Sequence, residues 1–141
     1  MAGRKKLDLK REHRKSTRQL AVLNRDLAAK MILLASQTGD TSPLIQAVDA
    51  LQKADELFST ESTPRELVEI RQALAETLHM LGKTQDDVEA LEKSIESYRS
   101  AITLASLLGD DKMRNDLKKN YAKARDLLAK KSPNVSVLGA A

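Results

Sequence analysis

The chain repeats itself at a spacing of 47 residues, and that period constrains its fold more than any other feature. Sliding the sequence by 47 places Leu20 on Leu67, Leu23 on Ile70, Leu27 on Leu74, Ala28 on Ala75, Met31 on Leu78 and Leu34 on Leu81. Further along it places Leu44 on Leu91, Val48 on Ile95, Leu51 on Tyr98, Ala54 on Ala101 and Leu57 on Leu104, with no gap. Three helix-start residues, Ser16, Thr63 and Asp110, share the interval. A fixed period of this length implies one supersecondary unit used more than once. Within each unit the apolar positions recur at three- and four-residue steps, the spacing of one helix face.

The rest of the composition agrees. Aromatic residues make up 2% of the 141, whereas Leu, Ala, Lys, Glu and Asp are abundant, which favours helices over strands. With no cysteine, disulfides, thiolate metal sites and thiol nucleophiles are excluded, and a reducing, cytoplasmic setting is expected. The charged start has no apolar stretch of a secretory signal, and no run approaches a transmembrane span. Net charge is sharply segregated: residues 1–18 carry 8 basic and 2 acidic side chains, residues 19–110 carry 8 and 15, and residues 111–141 carry 8 and 3. The body is acidic and both ends are basic.

Capping signals and glycines divide the chain into five helices. Residues 1–15 hold only Leu7 and Leu9 as aliphatic positions, so they are expected to form a basic flexible arm. Ser16-Thr-Arg-Gln19 reads as a capping box opening the first helix, with Gly39 its stop. Ser42-Pro43 opens the second helix, which runs to about Phe58. Thr63-Pro64-Arg65-Glu66 is a second capping box, opening a helix that ends at Gly82. Thr84 to Asp87 starts the fourth helix and Gly109 stops it; Asp110 or Asp111 caps the fifth, which ends at Ser132-Pro133. Residues 132–141 are a loose tail. The fifth helix is a third copy of the first, but Arg114 and Arg125 stand on Leu67 and Leu78, so it reads as a terminal capping helix.

Helix A of each unit carries Leu27-Ala28, Leu74-Ala75 and Tyr121-Ala122; helix B carries Ala47, Leu51 and Ala54, then Ser94, Tyr98 and Ala101. This large-small pattern resembles the tetratricopeptide repeat (TPR), in the long-linker form common in bacterial proteins. The resemblance spans about residues 16–131 and implies an all-α fold of TPR-like antiparallel helical hairpins, two repeats plus a C-terminal capping helix. The chain departs from the family in its period, which exceeds the usual ~34. It also has Asn24, Arg71 and Lys118 where an early aromatic is usual, and no proline closes helix B. A HEAT-like pair stays open as an alternative, and Ser97–Lys131 also resembles the end of a microtubule-interacting-and-trafficking bundle.

For function, the resemblance implies a non-enzymatic adaptor or scaffold that binds a protein or peptide through helix A. The family's binding face maps onto Arg25, Gln72 and Lys119, then Glu76 and Lys123, then His79 and Asp126. Ala29 replaces the asparagine of the family's carboxylate clamp, which argues against a chaperone-tail adaptor. The first helix has no preceding repeat, so its outer face (Val22, Ala29, Ile32 and Leu33) is expected to dock a partner, a second copy of the chain being one option. No catalytic, cofactor or metal site is expected: the glycines form no phosphate loop, and His13 and His79 are the only histidines. The pairs Asp86-Asp87 and Asp110-Asp111 read as helix caps. The rival reading is nucleic-acid or anionic-surface binding by the arm, through Arg4, Lys5, Lys6, Lys10, Arg11, Arg14 and Lys15, together with the basic last helix.

Overall fold

The computed structural model describes residues 2–61 and 63–131. They form five helices in chain order: α1 Ala2–Thr38, α2 Ser42–Glu61, α3 Pro64–Gln85, α4 Val88–Leu108 and α5 Asp111–Lys131. The fold is all-α. Short connections make consecutive helices antiparallel, with α1 packed on α2, α2 on α3, α3 on α4 and α4 on α5.

The main departure from the sequence reading is at the start. α1 runs unbroken through Ser16, so the basic segment is helical and not a separate flexible arm, and Ser16 caps nothing. The local chemistry explains this. Between Lys5 and Lys15 there is no Gly or Pro, Lys and Arg are good helix formers, and Asp8 and Glu12 stand three residues before Arg11 and Lys15. α2 likewise continues past Phe58 to Glu61. Thr63 is the N-cap of α3, with extended backbone, but its side chain makes no capping bond; Glu66 pairs instead with Arg18 of α1. Asp87 and Asp110 do cap, each carboxylate accepting a backbone N–H at 3.1 Å, from Ala90 and Met113 respectively. The proposed stop at Ser132-Pro133 and the tail lie outside the described residues.

Gly82 is not the end of α3 either. The helix continues to Gln85 and closes at Asp86, which adopts a left-handed φ of 53°. Asp86 is 47 residues beyond Gly39, whose φ is 73°, so the turn falls at the same point of each unit. Gly82 has a different task. A Cβ there would lie 2.5 Å from Leu91 Cγ and 3.1 Å from the Asp87 carbonyl, so only glycine lets α3 and the start of α4 come this close.

The core is divided by helix face. Along α3, Ile70, Leu74, Leu78 and Leu81 join one apolar cluster with Ala21, Ala28 and Ala35 of α1 and Leu44, Ala47, Leu51, Ala54 and Phe58 of α2. Val68 and Ala75 join a second cluster with Tyr98, Ala101 and Ala105 of α4 and Leu117 and Ala124 of α5. The buried Ser94 hydroxyl donates to the Ala75 carbonyl at 2.7 Å, fixing α4 against the small-residue face of α3. Arg71 spans three helices, with Nε donating to Asp55 Oδ1 of α2 at 3.2 Å and an Nη to Ser100 Oγ of α4 at 2.7 Å.

Polar contacts join successive units at both ends of each later helix A. Arg18 pairs with Glu66, and Arg65, 47 residues on, pairs with Asp110 at 3.3 Å. At the other end, Gln85 donates to Thr41 and Lys131 pairs with Asp86. Each later helix A is thus tied at both ends to the unit before it.

Two stability measurements follow. Gly82→Ala should lower stability by about 1–3 kcal/mol despite alanine's better helix propensity, because the added methyl overpacks buried Leu91; urea unfolding checks this. Arg71→Ala should cost about 1.5–3 kcal/mol, the range for hydrogen bonds to a charged group, and Arg71→Lys should restore only part of it.

Candidate interaction surfaces

The positions marked by the sequence fall into separate neighbourhoods. On α3, Gln72 Nε2 donates to Glu76 Oε1 at 3.1 Å, one turn along the same face. His79, the next turn on, is half-buried, with its ring edge-on to buried Tyr98 at 6.5 Å between centroids and 83° between planes. Burial lowers the His79 pKa from its ordinary 6.5, and the charges of Lys83 and Lys123 add to this while Glu76 opposes it. Burial likewise raises the Tyr98 pKa, with Glu76 contributing. Glu76, His79 and Lys123 therefore share one electrostatic neighbourhood across α3 and α5. Lys119 and Asp126 are exposed on α5.

Near the start of α5 lies a groove of about 290 Å³ lined by Gln72, Asp110, Lys112, Met113 and Asp116. Asp110 does more than cap α5. In the structure its carboxyl also accepts from Arg65 at 3.3 Å, and the Met113 N–H, more than Arg65, holds its pKa below the ordinary value.

The first helix differs from expectation. Arg25 is half-buried and lies 3.9 Å from its neighbour Asp26, away from the α3–α5 cluster. Val22 and Ile32, expected on an outer face, pack against the first apolar cluster; Ala29 and Leu33 are exposed. The uncovered apolar face is instead the leucine stripe that repeats in α3 at the 47-residue period. Leu20, Leu23, Leu27 and Leu34 are 42–62% exposed, although their counterparts Ile70, Leu74 and Leu81 are buried and Leu67 is half-buried. The reason is positional. α3 buries these side chains in the cluster shared with α2, whereas among the described residues α1 packs extensively on α2 alone, through a different face.

The far end of the molecule is polar. In α5 the positions one period beyond Val68 and Ala75 are Asn115 and Ala122, both exposed, with Lys118, Lys119, Lys123 and Arg125 around them. Arg114 is not on that outer face, contrary to expectation. It is half-buried, its Nε buried without a partner and its Nη 3.4 Å from Asp111. Arg125 does lie exposed, stacked 5.6 Å from the centre of the Tyr121 ring.

The basic segment is also a surface. Lys5, Lys6, Lys10, Arg11, Arg14 and Lys15 are exposed on the first turns of α1, where a groove of about 400 Å³ is lined by Leu9, Lys10, His13 and Arg14.

Among the described residues there is no group of three or more His, Asp or Glu that could hold a metal ion, and no helix long and apolar enough to cross a membrane. In comparisons with known proteins, no family model, no curated protein and no solved structure matches the chain.

The lowered His79 pKa has a measurable sign. The folded state binds this proton less readily than the unfolded chain, so the associated stability is complete above about pH 6.5 and falls as the pH drops below it. His79→Gln should remove that part of the pH dependence, as measured by thermal unfolding between pH 7.5 and pH 5, a range spanning the ordinary histidine pKa.

Proposed function

We propose that the chain is a TPR-like, non-enzymatic interaction module that binds a protein or peptide through the exposed surfaces of its A helices, α3 and α5 foremost. The observation that carries this reading is that each later helix A is tied at both ends to the unit before it: Arg18–Glu66 and Thr41–Gln85 join α3 to the first unit, and Arg65–Asp110 and Asp86–Lys131 join α5 to the second. Stacked helical units held in this way expose successive copies of one helix along a continuous face, the arrangement repeat proteins use for binding. On that face Gln72, Glu76, His79, Lys119 and Lys123 offer donors, acceptors and both signs of charge above a packed layer that includes Tyr98. The paired acidic residues have structural roles: Asp87 and Asp110 cap helices, and Asp86 closes a turn.

A second reading rests on the helical basic segment, which presents its exposed cations on a preformed scaffold suited to phosphates. The two readings separate on salt. Phosphate-driven binding of an oligonucleotide should weaken steeply between about 50 and 200 mM salt and disappear on deleting residues 1–15.

Affinity capture with the full chain tests the main reading. A partner retained by the wild type at moderate salt should bind at least about tenfold more weakly to the triple variant Gln72→Ala/His79→Ala/Lys123→Ala, with helical content unchanged. A partner that ignores these substitutions but is lost with residues 1–15 contradicts the reading in favour of the second.

A further inference from the structure

The leucine stripe of α1 has the spacing of a coiled-coil seam. His13, Leu20, Leu27 and Leu34 recur every seven residues, and Leu9, Ser16, Leu23 and Lys30 form the alternate series three residues on. This seam lies away from the face of α1 that packs on α2, where Ala21, Ala28 and Ala35 are buried. It continues through Leu9 into the part of α1 before Thr17, whose described side chains are all exposed. We infer that the seam is the dimer interface of this protein, joining α1 of two copies in an antiparallel, two-fold arrangement.

Three observations select a second copy as the occupant. The first is area. Five leucines, Leu9, Leu20, Leu23, Leu27 and Leu34, each 42–65% exposed, form a strip on the order of 500 Å², at the top of what monomers leave uncovered. Two such strips face to face bury on the order of 1,000 Å², the threshold of a specific interface, before flanking groups are added. A shallow groove of about 480 Å³ beside Leu23, lined also by Lys15, Arg18, Gln19 and Val22, offers the partner a seat next to the seam.

The second is that the other end of the molecule cannot supply the partner surface. Head-to-tail stacking would lay the leucines on Asn115 and Ala122 among Lys118, Lys119, Lys123 and Arg125, and would bring the basic α1 against the basic α5. A closed, isologous pair uses the one apolar end twice and leaves both polar ends in solvent.

The third is charge, which sets direction. Residues 1–18 carry 8 basic and 2 acidic side chains, while residues 19–38 carry Arg25, Lys30 and Asp26. Parallel pairing would place the two basic segments side by side. Antiparallel pairing sends each toward the C-terminal part of the partner's α1, which has no basic residue in its last turn, and toward the following Asp40. Ser16 and Lys30 within the seam make the pair weaker than an all-leucine zipper.

Sedimentation of the full chain tests this. Dimers are expected, with Leu23→Glu/Leu27→Glu weakening association at least tenfold while leaving helical content unchanged. Leu9→Glu, on the exposed stretch of α1, should also weaken it, and Ala122→Glu at the opposite end should not. A wild type that stays monomeric up to about 1 mM overturns the inference, as do dimers indifferent to the leucine variants or open-ended oligomers. Orientation is read from spin labels on Lys6→Cys, in a chain with no native cysteine. With α1 about 55 Å long, the two labels should lie more than about 30 Å apart, and contact between them would overturn the antiparallel arrangement. None of these substitutions touches Gln72, His79 or Lys123, so the dimer and the α3–α5 binding surface stand or fall separately.

Discussion

The structure depends on a division of labour between two faces of one helix. In α3 the face carrying Val68, Ala75 and Gly82 is made of small or slim residues, and α4 approaches it closely enough for Ser94 to reach the Ala75 carbonyl. The adjoining face, Ile70, Leu74, Leu78 and Leu81, carries the bulk and is buried in the cluster shared with α2. Small residues set the spacing inside a hairpin; large ones supply the hydrophobic free energy between hairpins, at about 1.5–3 kcal/mol for each fully buried leucine. A helix with both faces satisfied is an interior helix, and among the A helices α1, α3 and α5 it is α3 that meets this condition.

The two ends of the array follow from the same division. α5 is covered on its large-residue face by α4, while its other face, with nothing to receive, carries Asn115, Ala122 and lysines. α1 is satisfied through Ala21, Ala28 and Ala35, and its large-residue face stays exposed among the described residues. A soluble repeat array usually replaces such a face with polar side chains. Here one end has been so replaced and the other has not, and this asymmetry makes the α1 end a surface for association.

Much of this was legible in the residues. The 47-residue period exposed the repeated unit, and capping signals and glycines located the turn at Gly109 and the caps at Asp87 and Asp110, because those features are local. What the period could not reveal was which member of a repeated pattern has a neighbour. Leu27 and Leu74 are alike in sequence, and only the helix order shows that one is covered and the other is not. Gly82 was misread as a stop because a glycine required for close packing and one required for a left-handed turn look the same in sequence. The helical start of α1 was missed because burial was treated as necessary for a helix, whereas good helix formers without a breaker extended one already anchored by packing. Among the candidate binding residues, Glu76, His79 and Lys123 come together, while Ile32 packs into the first apolar cluster and Arg25 lies beside Asp26 on α1.

The division of faces is tested most directly by truncating a register-matched pair, Leu27→Ala and Leu74→Ala. Urea unfolding would be followed at protein concentrations low enough to keep chains apart. Leu74→Ala should cost about 2–5 kcal/mol, as for a buried leucine, and Leu27→Ala well under half of that. Equal losses at the two positions would mean that α1 buries its leucine face within the chain, and would contradict the account.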